Sequence, residues 1–410
     1  MPRLAYVFDP RSFPTADITR AASGLCTLVW VVDPTVPDTT AMVPWLRKFG
    51  PVVDVGGLSV ADAAAKLAEL RPDGILSMKD SRIGWTAEVA ARLGLPFHSP
   101  QVAARLSDKH AQRAAMRDAG VPVPHFAEVP APGSEGWDTF AETVVFPAVL
   151  KPQHNSEGSR DTIRVESVDE IISELARTPG TDFVIEEYLA DRADRRRDAF
   201  ADYVSVESIV SNGVISHLAV NGRFPPAYPF RESGFFIDAD LTAEDRVAVI
   251  DAATSALRAL DIRTGCPHTE VKLTPQGARV IEVNGRIGGG VPDLLEDAGT
   301  GIDLMRIALR IALGEYISFA AMPAMSRVAY LFYVHAPASM RQIVALEGIE
   351  ELRAEQGVID VTVNRWPGSA VHWRDGNHGH VFSVRGVVAD HDALERMDHR
   401  VREDVRIIGE

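Results

Sequence analysis

Residues 268–290 read HTEVKLTPQGARVIEVNGRIGGG. Two short apolar runs flank a Thr-Pro-Gln-Gly turn, which predicts a β-hairpin. Polar side chains interrupt both runs: Glu270, Glu282, Asn284 and Arg286. A hairpin that served only a hydrophobic core would not carry two acids, an amide and an arginine, so the stretch also predicts a functional site.

The register of the hairpin follows from its turn. A three-residue turn at 275–277 places Glu270 directly opposite Glu282. Because side chains alternate along a strand, Val280 and Asn284 share the face of Glu282. Opposed carboxylates destabilise a sheet unless a cation lies between them. Oxygen ligands suit Mg²⁺, so Glu270, Glu282 and Asn284 are the predicted metal ligands, with a solvated hairpin face as the alternative.

The end of the stretch adds a cation and open backbone. Arg286 lies two residues past Asn284, where a guanidinium can neutralise charge on phosphate or on a tetrahedral oxyanion. Gly288 and Gly289 remove side chains just beyond it, so a ligand can approach the backbone closely. A flexible glycine turn is the alternative interpretation.

The composition of the chain limits the classes of partner and the cellular compartment that we expect. The chain has 410 residues, a net charge of −15 and a pI near 5.3. This charge argues against nucleic-acid or anionic-membrane partners, although a local lysine cluster can still hold phosphate. Cys26 and Cys266 predict buried, unreactive thiols rather than a disulfide. Without a signal-like start or a long apolar run, we predict a cytoplasmic protein.

The first hundred residues alternate apolar strands with amphipathic helices. The runs LAYVFD, CTLVWVVD, VVDVG and GILSM predict the buried parallel strands of a doubly wound βαβ domain. No GxGxxG follows the first strand, so a dinucleotide is not expected there. Farther on, Ser107 is the predicted cap of a helix that ends at Gly120, and Asn212-Gly213 predicts a hairpin turn. The charged loop at 190–202 is expected to be solvated.

A magnesium site of this kind needs phosphates, and a polar loop can hold them. Lys151 ends the strand FPAVLKP and precedes QHNSEGSRD, where Ser156, Gly158 and Ser159 offer amides and hydroxyls. The loop is not a Walker A motif, and a surface hairpin loop is the alternative.

Two further segments are candidates for nucleotide contacts. Lys109, near the start of the SDKHAQ helix, is a second candidate phosphate cation, or else an exposed lysine. The strand FVIEEYL carries Glu186 and Glu187, which suit an adenine edge and ribose hydroxyls. An ordinary buried strand ending in charge is the alternative for that segment.

In this order the segments resemble the ATP-grasp superfamily, over about residues 100–315. LSDKHAQRAAMRDAGVPVP, FPAVLKP and EVNGRIGGG look most like the L-amino-acid (dipeptide) ligases, which are carboxylate–amine ligases. The resemblance implies an α/β and α+β multidomain chain with an ATP-grasp fold and a biotin-carboxylase-like layout. Its expected parts are a βαβ domain (1–100), a nucleotide-binding lobe with a lid (101–200), a catalytic and metal lobe (201–325) and a small α+β domain (326–410).

The resemblance also implies roles for the site residues. Lys109 and Lys151 would contact the ATP phosphates, and the stretch from Glu186 and Glu187 through Tyr188 to Leu189 would form the adenine hinge. The metal ligands would hold one or two Mg²⁺, for which Mn²⁺ can substitute. Lys151 and Arg286 would be catalytic, and the layout suggests a homodimer.

The amino-acid site is expected in NGRFPPAYPFRESGFF, residues 221–236. Dipeptide ligases often show a Glu-x-Gly-His-like pattern there, and this chain has Glu232, Gly234 and Phe235, with an aromatic in place of the histidine. Glu232 is the expected partner of a substrate ammonium, or else a surface acid. Arg223 and Arg231 flank it and are candidates for a second carboxylate, such as that of a glutamyl donor.

The implied reaction is ATP-dependent joining of two amino acids, or an amino acid and an amine, through an acyl phosphate. The product would be a dipeptide, including the γ-glutamyl kind, made in specialised-metabolite or antibiotic biosynthesis. The alternatives are another ATP-grasp carboxylate–amine ligase, a carboxylase, or a non-catalytic ATP-binding scaffold. No Met-Lys-Met biotinyl signature occurs, and a scaffold would not need Arg286.

Overall fold

The computed structural model describes residues 1–154 and 157–410, apart from the side chain of Glu157. The chain begins with four parallel strands in the order β3-β2-β1-β4, as the alternating pattern predicts. Apolar side chains bury both faces of this sheet, which is why its strands read as continuous apolar runs. The elements are β1 (Arg3–Val7), α1 (Thr15–Ala22), β2 (Thr27–Val32), α2 (Thr39–Leu46), β3 (Val52–Asp54), α3 (Val60–Ala68), β4 (Gly74–Ser77) and α4 (Asp80–Leu93).

Two helices lead from this domain into a small separate sheet. They are α5 (Pro100–Ser107) and α6 (Lys109–Asp118). The cap of α6 is Asp108, whose Oδ1 accepts a hydrogen bond from the Ala111 amide at 2.9 Å, whereas Ser107 ends α5. The prediction of Ser107 as the cap is therefore wrong by one residue, because Asp caps as well as Ser.

The small sheet, with its two helices, forms a lobe of its own. We call residues 126–187 the cap lobe. It contains β5 (Phe126–Glu128), α7 (Trp137–Thr143), β6 (Ala148–Pro152), β7 (Ile163–Val165), α8 (Val168–Arg177) and β8 (Phe183–Glu187). Its strands are antiparallel in the order β5-β8-β6-β7, and an apolar core that includes Trp137, Phe140 and Ile171 joins both helices to them.

An eight-stranded antiparallel sheet forms the body of the remaining chain. Its strands are β9 (Tyr203–Ser211), β10 (Val214–Arg223), β11 (Gly234–Ile237), β12 (His268–Thr274), β13 (Gly277–Asn284), β14 (Val328–His335), β16 (Val358–Val363) and β17 (His380–Val388). The order is β13-β12-β9-β10-β11-β14-β17-β16. The expected domain boundary at residue 325 therefore falls within one continuous sheet.

The other elements cover this sheet or join it to the first domain. Helix α9 (Ala243–Ala259) packs on β12 and β13, and α10 (Val291–Asp297) and α11 (Leu304–Ala312) share a core with β1 and β2. The last part adds β15 (Ile343–Glu347), α12 (Ile349–Arg353), α13 (His391–Glu403) and β18 (Arg406–Gly409), with β15 and β18 paired as a two-stranded sheet.

The 268–290 hairpin reaches its predicted pairing by a different route. Thr274 pairs with Gly277, so the turn has two residues and the predicted three-residue turn is wrong. A bulge at Ile281 follows, and it restores Glu270 to the position opposite Glu282, which confirms that pairing. The extra residue also moves Val280 away from the face of Glu282 and into the core beneath α9.

The charged loop at 190–202 is tied down rather than merely solvated. Arg192 pairs with Asp202 and Asp245, and Arg197 pairs with Asp240 and with two acids of α13. The loop therefore joins the cap lobe's exit to α9 and α13. Among the residues that the structure describes, no helix is long and apolar enough to cross a membrane.

Candidate active site

A cavity of about 400 Å³ lies between the cap lobe and the hairpin end of the large sheet. Most of the predicted site residues line it, although they come from segments that are far apart in sequence. They are Lys109, Lys151, Gly158, Ser159, Glu186, Glu187, Tyr188, Leu189, Arg223, Glu232, Phe235, Glu270, Glu282, Asn284, Arg286, Gly288 and Gly289. Ser156 lies outside the described residues, and Arg231 and Gly234 do not line this cavity.

The two opposed acids lie on the cavity face of the hairpin, each next to a cationic or basic group. Lys109 Nζ is 2.9 Å from Glu282 Oε1, and His268 Nε2 is 3.4 Å from Glu270 Oε1. Burial alone would raise the pKa of Glu270, but the hydrogen bond and charge of His268, with the charge of Arg223, outweigh burial and lower it to about 2. Glu270 is therefore an anion at neutral pH.

His268 is a site residue that the sequence reasoning did not single out. Its Nδ1 lies 2.6 Å from Glu207 Oε1 on the neighbouring strand β9. Burial lowers the pKa of His268, but the charge of Glu207 and the hydrogen bonds to Glu207 and Glu270 outweigh burial, and the net pKa is raised. His268 therefore orients the Glu270 carboxylate through its Nε2. Glu207 ends the run VSVE, one of the segments that resemble the ATP-grasp superfamily, and pairing of β9 with β12 brings its carboxylate to His268.

The donor set on this face fits a small divalent cation. Glu270, Glu282 and Asn284 offer only oxygen atoms as metal ligands, and the two carboxylates face each other across paired strands. Mg²⁺ is usually bound by one or two carboxylates and keeps positions open for phosphate oxygens. Within the described residues there is no group of three or more His, Cys, Asp or Glu side chains placed to hold a metal by themselves. The arrangement is thus typical of a cation shared with a phosphate ligand.

Lys151 is held by a buried acid. Its Nζ lies 2.6 Å from Glu186 Oε2, and Arg113 Nη2 lies 3.0 Å from the other oxygen of the same carboxylate. Burial would raise the pKa of Glu186, but the charges of Arg113 and Lys151 outweigh it, so the pKa is lowered. The Glu186 carboxylate therefore orients a cation and does not present its oxygens to adenine.

Arg113 is a second site residue that was not predicted from the sequence, although its spacing from Lys109 indicated it. It lies one helical turn after Lys109 on α6, so both side chains point to the same side of that helix. Lys109 was predicted to contact phosphate. An arginine four residues later on the same helix face is therefore a candidate for a second cation at the site. Glu187 ends β8 and Tyr188 follows it. The Glu187 carboxylate accepts a hydrogen bond from the His125 amide at 3.1 Å, and the Arg164 guanidinium lies over the Tyr188 ring.

Arg286 is oriented by an acid of the first domain. Its Nε and Nη2 donate to Asp80 Oδ2 at 2.9 and 2.6 Å, and its Nη1 donates to the Ile287 carbonyl. Asp80 follows the carboxyl end of β4. Ligands and functional side chains gather at the carboxyl ends of parallel strands, so this position was a recognisable signal that the sequence reasoning missed.

The glycines after Arg286 serve packing as well as access. A Cβ at Gly288 would lie 2.7 Å from His268 Nδ1, so glycine is needed for close contact with that ring. A Cβ on Gly289 would meet no heavy atom within 4 Å, and Gly289 lines the cavity. The predicted backbone access therefore applies to Gly289, while Gly288 lets the chain pass over His268.

The predicted substrate segment divides into residues that line the cavity and residues that do not. Arg223 and Glu232 form an ion pair beside the Phe235 ring, which lies 5.1 Å from the guanidinium carbon. Arg231 is buried and donates to the carbonyls of Tyr228 and Ala336, so its guanidinium joins its own loop to the residue that follows β14. A Cβ on Gly234 would lie 2.2 Å from the Leu331 carbonyl oxygen, which makes glycine a requirement of strand packing.

Comparison with known proteins places this geometry in a family context. Residues 238–319 match the family model "Carbamoyl-phosphate synthase L chain, ATP binding domain". The chain is 26% identical over 323 residues to the protein y4rH of Sinorhizobium fredii, covering 76% of this chain and 63% of that protein. It is 25% identical over 271 residues to the alanine–anticapsin ligase of Bacillus amyloliquefaciens, covering 62% and 56%. These matches thus span less than two thirds of either relative.

Solved structures resemble the chain over its whole length. The L-amino acid ligase from Bacillus licheniformis superposes with a TM-score of 0.79 at 20% identity, covering 100% of this chain and 99% of that one. At such identity the likeness establishes the fold. The matched ATP-binding domain, the ligase relative and the shared fold together support an ATP-grasp ligase close to the amino-acid ligases.

Proposed function

We propose that this protein is an ATP-dependent ligase that joins the carboxylate of one amino acid to the amine of another through an acyl phosphate, releasing ADP and phosphate. One observation carries the proposal. The opposed carboxylates Glu270 and Glu282 share a single cavity with Lys109, Lys151 and Arg286. That set can hold a triphosphate with its metal at one end and a developing oxyanion at the other.

The nucleotide would lie between the cap lobe and the hairpin. Lys109 and Lys151 would contact its phosphates, with the amides of Gly158 and Ser159 above them. The backbone from Glu186 to Leu189 would face the adenine edge, since the Glu186 carboxylate is already paired with Lys151 and Arg113. Glu270, Glu282 and Asn284 would hold Mg²⁺, which would neutralise charge on the phosphate oxygens.

The proposed reaction needs no nucleophilic side chain from the protein. An oxygen of the donor carboxylate attacks the γ-phosphorus, and the bond to the β–γ bridging oxygen breaks to release ADP. The amine nitrogen then attacks the acyl carbon, phosphate leaves, and the nitrogen loses a proton to the surrounding solvent. Arg286, held by Asp80, would stabilise the oxyanion that forms on the acyl carbon during this second step.

The ion pair of Arg223 and Glu232 supports an amino acid as substrate. A zwitterion brings an ammonium that suits Glu232 and a carboxylate that suits Arg223, and Phe235 provides an apolar surface beside them. A γ-glutamyl product now depends on Arg223 without help from Arg231, whose donors are used by backbone carbonyls. A homodimer, use of Mn²⁺, and a place in antibiotic biosynthesis stay predictions of the family resemblance.

A pairwise amino-acid screen tests the proposal. The full chain is incubated with ATP, Mg²⁺ and each pair, and released phosphate is measured together with the product mass. We expect phosphate release that requires both amino acids, and a product mass equal to their sum less one water. Tight ATP binding without phosphate release for any pair would instead favour a non-catalytic ATP-binding scaffold.

A further inference from the structure

The segment 372–380 lies between the cap lobe and the large sheet, and no predicted site residue belongs to it. We call it the bridge segment. It includes the 3₁₀ stretch Trp373–Gly379 and leads directly into β17. A Cβ on Gly376, whose φ is 64°, would lie 2.5 Å from the Gly158 carbonyl oxygen. The bridge segment therefore touches the backbone of the predicted phosphate loop, which side chains at these positions would prevent.

A buried ion pair fixes the bridge segment to the cap lobe. Arg374 Nη1 and Nη2 donate to Glu174 Oε1 and Oε2 at 2.5 and 3.0 Å. The Glu174 side chain is 2% exposed and that of Arg374 is 16% exposed. The guanidinium also stacks on Trp373, with its carbon 4.2 Å from the ring centroid. A bidentate pair this well enclosed fixes orientation, unlike an exposed ion pair.

The same segment reaches the substrate side of the cavity. Asn377 Oδ1 accepts a hydrogen bond from the Glu232 amide at 2.8 Å. The Glu232 carboxylate pairs with Arg223, so its position depends on where this backbone lies. Asn377 and Gly158 both line the nucleotide cavity and a second cavity of about 350 Å³ beside it. One short segment thus contacts the cap lobe and the predicted amino-acid site.

The cap lobe is also attached to α6 and its cap. Arg113 of α6 pairs with Glu186 of β8 at 3.0 Å, and the Gln153 side-chain amide donates to the Asp108 carboxylate at 3.0 and 3.1 Å. Separating the lobe from the bridge segment requires the Arg374–Glu174 pair to break. Opening would also carry Gly158 away from Asn377.

We infer that Arg374 and Asn377 are positioning residues that couple closure of the cap lobe over the nucleotide to the placement of the amino-acid segment at Glu232. The inference rests on the proposed ligase function. An acyl phosphate is lost if water reaches it before the amine does, so a closed lobe and a filled substrate site must coincide. The bridge segment links the two through Glu174 on one side and the Glu232 amide on the other.

R374A and E174Q test the pairing, and R353A, which removes an arginine of an exposed ion pair, is the control. Arg353 pairs with Glu350 at 2.5 Å on α12, outside both cavities. The readout is the ratio of phosphate released to amide formed, with the KM for ATP. We expect the ratio to rise about tenfold in R374A and E174Q, within the usual range of coupling between two sites, and to be unchanged in R353A.

A loss of turnover in R374A with an unchanged ratio would overturn the inference, since it would indicate a structural role alone. R374K, which keeps the charge without the bidentate contact, gives the same comparison if R374A does not fold. For Asn377, N377A should raise the KM for the amino acid, and N377D, which keeps the acceptor oxygen, should restore it. Equal KM values in N377A and wild type would contradict its role.

Hydrogen–deuterium exchange separates this inference from the proposed function. It is measured on α8 and residues 158–165 with ATP and Mg²⁺ present and no amino acid. We expect faster exchange in R374A than in wild type or R353A. Equal exchange in all three proteins would overturn the role of the Arg374–Glu174 pair. Faster exchange in R374A, together with no amide formation by the wild-type protein, would support the role of the pair and contradict the proposed ligase function.

Discussion

Asp80 Oδ2 accepts two hydrogen bonds from Arg286, at 2.9 and 2.6 Å, across 206 positions of sequence. The contact brings the first domain to the edge of the site, although that domain offers no nucleotide motif of its own. It also limits the rotamers available to the Arg286 guanidinium. Asp80 therefore positions Arg286.

Removing either partner should reduce turnover to different extents. We expect R286A to lower kcat by about 10²–10³, the usual loss of an oxyanion donor. D80N should lower it by about 10- to 100-fold, as loss of an orienting contact does. Both are measured as ATP-dependent amide formation, with the Kd for ATP expected to change little. D33N is the control, because Asp33 pairs with Arg82 in the same domain at comparable exposure, away from the cavities.

Replacing a predicted metal ligand should abolish most of the Mg²⁺-dependent activity. In E282A we expect loss of most activity, by about 10²-fold or more, because a triphosphate would then meet one carboxylate fewer and an unpaired Lys109. The measurement is turnover as a function of Mg²⁺ concentration. E88A, on the exposed side of α4, should behave as wild type. Full ligation by E282A would show that the metal assignment is wrong.

Glu186, the buried acid that pairs with Lys151, should contribute to the stability of the folded protein. E186Q leaves Arg113, whose side chain is 0% exposed, without its anionic partner. Breaking a buried pair costs about 3–5 kcal/mol, so the free energy of unfolding by urea should fall by that order. E166Q, which removes an exposed partner of Arg164, should cost no more than about 1 kcal/mol. Equal effects of the two variants would contradict the buried pairing.

The same pair sets a pH dependence of known sign. The pKa of Glu186 is lower in the folded protein than the value of about 4.3 expected for an unfolded chain. Its contribution to stability is therefore complete above the unfolded pKa and is lost as the pH falls through the folded one. In urea titrations between pH 7 and pH 3, wild type should lose more stability than E186Q does. Parallel curves would argue against a lowered pKa.

Much of this site was predictable because its residues lie where local rules place them. Lys109 and Lys151 begin a helix and end a strand, and Glu270 opposes Glu282 on one hairpin. That pairing was predicted through a wrong turn, and it held because the bulge at Ile281 added the residue that the shorter turn removed. Sequence spacing alone does not reveal a bulge.

The remaining features depend on contacts between distant segments. Arg231 was predicted to bind substrate, but its guanidinium donates to backbone carbonyls, including that of Ala336. Glu186 looked like a nucleotide contact until Arg113 and Lys151 enclosed it. The pair of Glu174 and Arg374 joins residues 200 positions apart, and neither stretch of sequence indicates the other.

The two cysteines should be unreactive in the folded protein. Burial raises the pKa of Cys26 to about 11 and that of Cys266 to about 12. At pH 8 the thiolate fraction is then on the order of 10⁻³ or less. We expect slow labelling by a thiol reagent in native buffer and rapid labelling of both thiols in urea. Rapid labelling of either thiol in the folded protein would contradict its burial.

The most direct test follows an oxygen atom. If a carboxylate is activated in this cavity, an amino-acid donor labelled with ¹⁸O in its carboxylate must pass one labelled oxygen to phosphate and keep the other in the amide. Mass spectrometry of the released phosphate, under the amino-acid pair that gives product, measures this transfer. We predict one ¹⁸O per phosphate, and phosphate without the label would contradict the acyl-phosphate route.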